Sequence, residues 1–330
     1  MDLIDTIAHD FMIAAGILIY IFGLFGNILN IYVFANWCRP QRRVNSIHQN
    51  IPRNHAQTSN SPLYLLVSSC ANFMEIIYPV LTRIIYDGFE RPKTKENQLW
   101  TCQLRYYVLH TSDIVSLTCI CMAMLDRYLI SSRNANLRRL SPTRRRTKLI
   151  IILLIHLVGL HNIPIAIYYQ ASDVGDCAIS SDTYLYYYLS VVQIVLHGIF
   201  PICFLSIFGG LTHKQLRLIH HRNFNSDKQL SRMLLLLCVV ILISSIPYCI
   251  QHLYLMISDQ RIEHLSSYKL LLYYISLLLF FGNATFSFYV FFISTPNFRR
   301  QFRKKLFRRI FNRNSVNNQM HANTSSYIGQ

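Results

Sequence analysis

Charge is what this sequence has least of. Of its 330 residues 14% are Asp, Glu, Lys or Arg, where an ordinary soluble domain carries about 25%, so a water-facing surface all round is excluded. Acids are the scarcer sign, 15 against 32 Lys and Arg, for a net charge of +17. That surplus does not point to nucleic acid, because the basic residues fall in short segments between long apolar runs. Enzyme signatures are missing too. No metal-ligand cluster, nucleophile elbow or phosphate loop occurs at useful spacing, and His156 and His161 are not in a His-x-x-x-His arrangement, so neither catalysis, a metal nor a cofactor is expected. No internal repeat or interrupted helix pair supports a transporter. Met1–Asp10 has three acids and no Lys or Arg, so no cleavable signal peptide is expected and the first helix serves as its own insertion signal. Seven of the nine Cys lie in apolar runs or at a basic edge, which excludes a disulfide framework and leaves Cys102 and Cys177 on the acidic side.

What is abundant is apolar length. Hydrophobic residues make up 52% of the chain, gathered in seven stretches at 11–36, 62–86, 103–132, 148–169, 185–211, 231–257 and 266–294. Each is long enough for a hydrocarbon core of about 30 Å. In lipid the backbone must satisfy its own hydrogen bonds, and these runs are too long and too little alternating for barrel strands. The expected fold is all-α, a bundle of seven transmembrane helices over 11–294. The segments 37–61, 133–148, 212–232 and 297–330 hold 4, 7, 5 and 8 Lys or Arg, while 11 of the 15 carboxylates fall in residues 1–10 and the other three loops. The positive-inside rule then places the amino terminus outside and the basic tail in the cytosol, with anionic lipid as a partner of the basic loops and tail. Phe298, Phe302, Leu306 and Ile310 recur every four residues among Lys and Arg, which predicts an amphipathic interfacial helix over 295–311. Residues 312–330 are expected to be disordered. Asn323-Thr324-Ser325 matches a glycosylation acceptor but falls on the cytosolic side and is expected to be empty.

Charged residues within a membrane are costly and therefore functional candidates. Asp126-Arg127-Tyr128 stands at the basic end of the third stretch, with Cys102 upstream at its other end. Gly26-Asn27, Pro201, Pro247, Asn283 and Phe298-Arg299 occur in the first, fifth, sixth and seventh stretches and at the start of the tail helix. In these motifs the chain resembles the rhodopsin-like (class A) G-protein-coupled receptors, as a divergent member. The resemblance implies a plasma-membrane receptor that activates a heterotrimeric G protein, and a Cys102–Cys177 disulfide. Apart from Asp126, Asp227 is the one carboxylate on the cytosolic side. The resemblance makes it the partner of Arg127 in a resting-state latch, worth about 0 to 1 kcal/mol if partly exposed.

Departures from the family pattern are several. Asn72 and Ser287 stand where the family has acids that share a sodium ion, so a strong sodium effect is not expected. Ser287-Phe288-Tyr289-Val290-Phe291 lacks the proline and terminal tyrosine of Asn-Pro-x-x-Tyr. Gly209 and Ser245 replace a tyrosine and a tryptophan. Toward the outer side, Glu75, His110, Asp113, Gln193, His197, Tyr248 and His252 are polar groups in apolar stretches and must face the bundle interior. The pairs His110/Asp113 and Tyr248/His252 each share a helical face, and the set reads as a ligand pocket. Leu109 and Phe281 occupy the positions where the family's amine receptors and opsins carry an aspartate and a lysine. With 11 outer carboxylates against Arg91, Lys93, Lys95, Arg261 and Lys269, the expected ligand is a basic or amidated peptide drawn in by steering. An amine held by Asp113 is the alternative, and a seven-helix channel or transporter is the alternative of another class.

Overall fold

The computed structural model describes residues 3–38, 59–89, 96–171, 177–218, 225–257, 266–296 and 298–300. Six helices are long and apolar enough to cross a membrane: Thr6–Cys38, Ser61–Gly88, Leu99–Ser131, Arg144–Tyr168, Asp182–Gln215 and Gln229–Tyr254. Ser267–Phe280 and Gly282–Ser294, bent by 41°, make a seventh when taken as one span. Each overlaps one of the apolar stretches of the sequence, and the chain reads as an all-α, multi-pass membrane bundle.

The third span is the axis of this bundle. Of its apolar stretch 67% is buried, against 17% for the fourth span. Leu117, Ile120, Ala123 and Met124 on the third span meet Leu65 on the second, Leu205 on the fifth, Met233 and Leu237 on the sixth and Phe288 on the seventh in one core. On the fourth span Leu149, Ile152, Leu153, Leu157 and Leu160 are exposed. A row of large apolar side chains left uncovered on a helix needs lipid, not water, beside it.

Several helices widen locally into π turns, at Ile76–Val80, Ile84–Gly88, Leu99–Leu104 and Tyr188–Ile199. Pro79 lies within the first of these and Pro201 follows the last. Proline supplies no N–H to the ladder, and such widened turns recur at functional sites. Between the fourth and fifth spans a short antiparallel hairpin pairs β1 (Tyr169–Ala171) with β2 (Cys177–Ile179), Ala171 opposite Cys177. Cys177 is bonded to Cys102 at the head of the third span, with Cα atoms 5.5 Å apart.

Three features differ from the sequence expectation or extend beyond it. The first helix begins at Leu3 and takes in most of the segment expected to be an outer tail. Ala8 and Met12 are buried, His9 Nδ1 lies 2.9 Å from the Asp87 carbonyl oxygen, and the His9 ring packs edge-on to Tyr274. The last span bends at Phe281-Gly282 although no proline is there. Backbone bonds Phe281 N–H to Leu277 O (3.2 Å) and Thr285 N–H to Phe281 O (3.1 Å) cross the bend, so the helix is kinked at glycine, not unwound. At the end of this span Phe298 is buried among Phe34, Trp37, Phe288 and Phe291 at ring distances of 5.9 to 6.1 Å. The rest of the expected tail helix, with Phe302, Leu306 and Ile310, lies outside the described residues, as does 312–330.

Candidate functional site

The seven polar residues expected to line a pocket are all buried, and the structure draws four of them into one chain of hydrogen bonds. His197 Nδ1 is 2.6 Å from the Val192 carbonyl oxygen. A carbonyl only accepts, so this nitrogen carries the proton and Nε2 presents a lone pair when the ring is neutral. His110 Nδ1 stands 3.5 Å from that lone pair, and His110 Nε2 is 2.8 Å from the Tyr188 hydroxyl. The Gln193 amide donates to the same hydroxyl. One consistent assignment runs Gln193 to Tyr188 and Tyr188 to His110, each donating to the next, with the single lone pair of His197 Nε2 open to one partner, His110 or Asp113. Asp113 Oδ2 lies 3.1 Å from His197 Nε2. Two lone pairs at that distance would repel, so a proton resides at the contact, on the carboxyl or on the imidazole.

Glu75, on the second span, is within electrostatic reach of Asp113 on the third. Tyr248 stacks on Phe280 at 4.3 Å and packs against His252 at 4.2 Å, while His252 Nδ1 donates to the Tyr248 carbonyl at 3.1 Å. This sixth-span pair joins the chain through Phe280, 6.1 Å from the His197 ring. The site is thus a buried polar chamber packed with its own side chains, whose inner groups largely satisfy one another.

Two residues at its end nearest the disulfide escape the sequence reading. Arg83 and Arg105 are 3% and 1% exposed, although Lys and Arg are almost never fully buried without a partner. They share a single carboxylate, Asp87, with Arg83 Nη1 at 3.0 Å and Arg105 Nη1 at 3.3 Å. Both guanidiniums flank the Tyr106 ring, at 5.5 and 4.9 Å from its centroid, a favourable cation–π placement. Tyr106 in turn stacks on Tyr169 of β1 at 4.0 Å. The disulfide, the hairpin and the two arginines therefore form one structure over the chamber. Their signal in the sequence is spacing: Arg83 stands eight residues from Glu75 and Arg105 eight from Asp113. At span ends, both read simply as boundary charges.

At the opposite end of the third span, Asp126 caps the second. Its Oδ2 accepts from the N–H groups of Asn60 and Ser61 at 3.0 Å each and from the hydroxyls of Ser59 (3.0 Å) and Ser61 (2.8 Å), and its Oδ1 from the Ser141 hydroxyl at 3.0 Å. The first N–H groups of a helix have no intrahelical acceptor and favour an anion, and Pro62 in this first turn has no N–H to satisfy. Arg127 Nε donates to the Ser61 hydroxyl at 2.9 Å, and its Nη2 to Ser59. Tyr128 packs edge-on against Phe208 of the fifth span at 5.5 Å. Asp227 belongs to the sixth-span helix Asn225–Ile257, but its side chain lies outside the described residues.

Around Asn72 and Ser287 the buried polar groups are neutral. Asn72 is buried, Asn30 donates to the Ser287 hydroxyl at 3.1 Å, and Ser68 and Ser116 share a hydrogen bond of 2.8 Å. No carboxylate takes part in these contacts. No protein-family model matches the chain, and no curated protein matches its sequence.

Proposed function

We propose that this protein is a divergent G-protein-coupled receptor of the rhodopsin-like class, plasma-membrane and amino terminus outside, which binds an extracellular peptide and activates a heterotrimeric G protein. The observation that carries the reading is the pairing of two ends on one central helix. At one end Cys102 ties the third span to the hairpin over a buried polar chamber; at the other, Asp126-Arg127-Tyr128 meets the second and fifth spans, at ends that this reading takes as cytosolic. Arg127 is the residue assigned to the G protein, with Asp227 as its resting partner. Activation swings the sixth span outward and frees the guanidinium for a helix of the transducer.

The test is G-protein dissociation in living cells challenged with a peptide and amine library. The account expects a response that Arg127→Ala abolishes while ligand binding stays within about threefold. An undiminished response in that variant contradicts the assignment.

Transport is the second reading, favoured by the buried acids Glu75 and Asp113. It expects Glu75→Gln or Asp113→Asn to abolish flux of substrate into cells and Arg127→Ala to leave it intact.

A further inference from the structure

The chamber is sorted by charge along its depth. Its outer level is basic: Arg83 and Arg105 have one carboxylate between them, Asp87, and the Nε–H of each is buried with no hydrogen-bond partner among the described residues. Its inner level is acidic: Glu75 Oε2 is likewise buried without a hydrogen-bond partner among the described residues, and Asp113 Oδ2 meets His197 Nε2 at 3.1 Å. Buried donors and acceptors are nearly always satisfied, and charged ones most of all. Donors are orphaned only at the outer level of this set and acceptors only at the inner.

The geometry repeats on two antiparallel helices. Arg83 lies eight residues outward of Glu75 on the second span, and Arg105 eight residues outward of Asp113 on the third. At a rise of about 1.5 Å per residue, each helix separates its two levels by roughly 12 Å. Between the levels stand aromatic and imidazole groups. Tyr106 bridges the arginines to the stack above His110.

We propose that the chamber takes a zwitterion held lengthwise: its ammonium at the level of Glu75 and Asp113, its free carboxylate at Arg83 and Arg105. A span of roughly 12 Å corresponds to an extended peptide of about three to four residues with both termini free. This deepens the receptor reading and rests on it for the meaning of the site. Of the basic or amidated peptide expected from the sequence it sets aside the amidated form, because an amide lacks the carboxylate that the outer guanidiniums match.

The experiment uses the full-length protein in lipid nanodiscs and reads its melting midpoint. The probes are positional-scanning mixtures of tripeptides and tetrapeptides in three forms: both termini free, N-acetylated and C-amidated. Free-terminus mixtures are expected to raise the midpoint, as any ligand specific for the folded state does, and either cap to weaken the effect at least tenfold in probe concentration. In the double variant Arg83→Gln/Arg105→Gln the penalty for amidation disappears; in Glu75→Gln/Asp113→Asn the penalty for acetylation disappears. Arg83→Lys/Arg105→Lys, which keeps the charge, retains the preference for a free carboxylate and controls for loss of folding. Capped mixtures that stabilise as well as free ones, or no stabilisation by any free-terminus mixture of a protein that melts cooperatively, overturns the proposal. Neither result touches Arg127, so the receptor reading stands or falls separately on the coupling assay.

Discussion

At the scale of the residue, Asp126 and Arg127 do different work although they are neighbours. Asp126 is the acceptor that completes the first turn of the second span, and Arg127 donates to the hydroxyls of the same turn. Asp126→Ala removes the carboxylate and leaves the Asn60 and Ser61 N–H groups without their acceptor. Leaving such groups unpaired costs about 1 to 3 kcal/mol, so this variant is expected to melt earlier than the parent in a thermal assay. Ser61→Ala, which removes only a hydroxyl, should cost less. A variant that melts with the parent would show that the cap contributes nothing.

The identities of these residues could be read from the sequence, but their partners could not. Asp126 is recognisable from the tripeptide, whereas Ser59, Asn60 and Ser141 reach it from separate segments and have no periodic signature. Arg83 and Arg105 illustrate the same limit from the other side. A charge near the end of an apolar run fits equally a residue at the boundary and one turned inward, and only the packing of Tyr106 and Asp87 against both decides between them.

At the scale of the element, helix length and type followed from apolar runs because lipid leaves the backbone no other choice. Ends and bends did not follow. The first helix extends through acidic residues to Leu3 because its inner face finds Asp87 and Tyr274, and the last span bends at glycine without the proline that marks most kinks. Close approaches are equally hidden. A Cβ on Gly198 of the fifth span would stand 2.6 Å from Cys249 Sγ on the sixth, so these two spans touch through a hydrogen. Gly198→Val is expected to push them apart at a cost of about 1 to 3 kcal/mol, read as a lowered melting midpoint, whereas Gly210→Ala, with open space beside it, should leave the midpoint within the error of the assay. Equal midpoints for Gly198→Val and the parent would place no contact there. The hairpin tether can be weighed the same way. The Cys102–Cys177 bond closes a sequence separation of 75, worth about 4 to 5 kcal/mol on the loop-entropy model, and Cys102→Ser/Cys177→Ser should melt early and lose ligand binding, while reductant should have no further effect on that variant.

At the scale of the whole molecule, the receptor reading proposed above has the arrangement couple an outer event to an inner one through a single central helix. The third span carries Arg105, His110 and Asp113 on the chamber side and Asp126, Arg127 and Tyr128 at its other end, and its middle is packed from the second, fifth, sixth and seventh spans. A ligand can bias such a bundle only by binding one arrangement of the spans better than another. If a surface ion pair holds the resting arrangement by about 1 kcal/mol or less, reversing one of its charges shifts the populations severalfold without any ligand.

That shift is the most direct measurement of the central claim. G-protein dissociation is followed in cells expressing, at matched surface levels and without added ligand, the parent chain, Asp227→Arg, and Asp227→Arg combined with Arg127→Ala. The account predicts a severalfold rise in ligand-free signalling for Asp227→Arg and its loss when Arg127 is also removed; a signal unchanged by either substitution would contradict both the latch and the role of Arg127 in coupling.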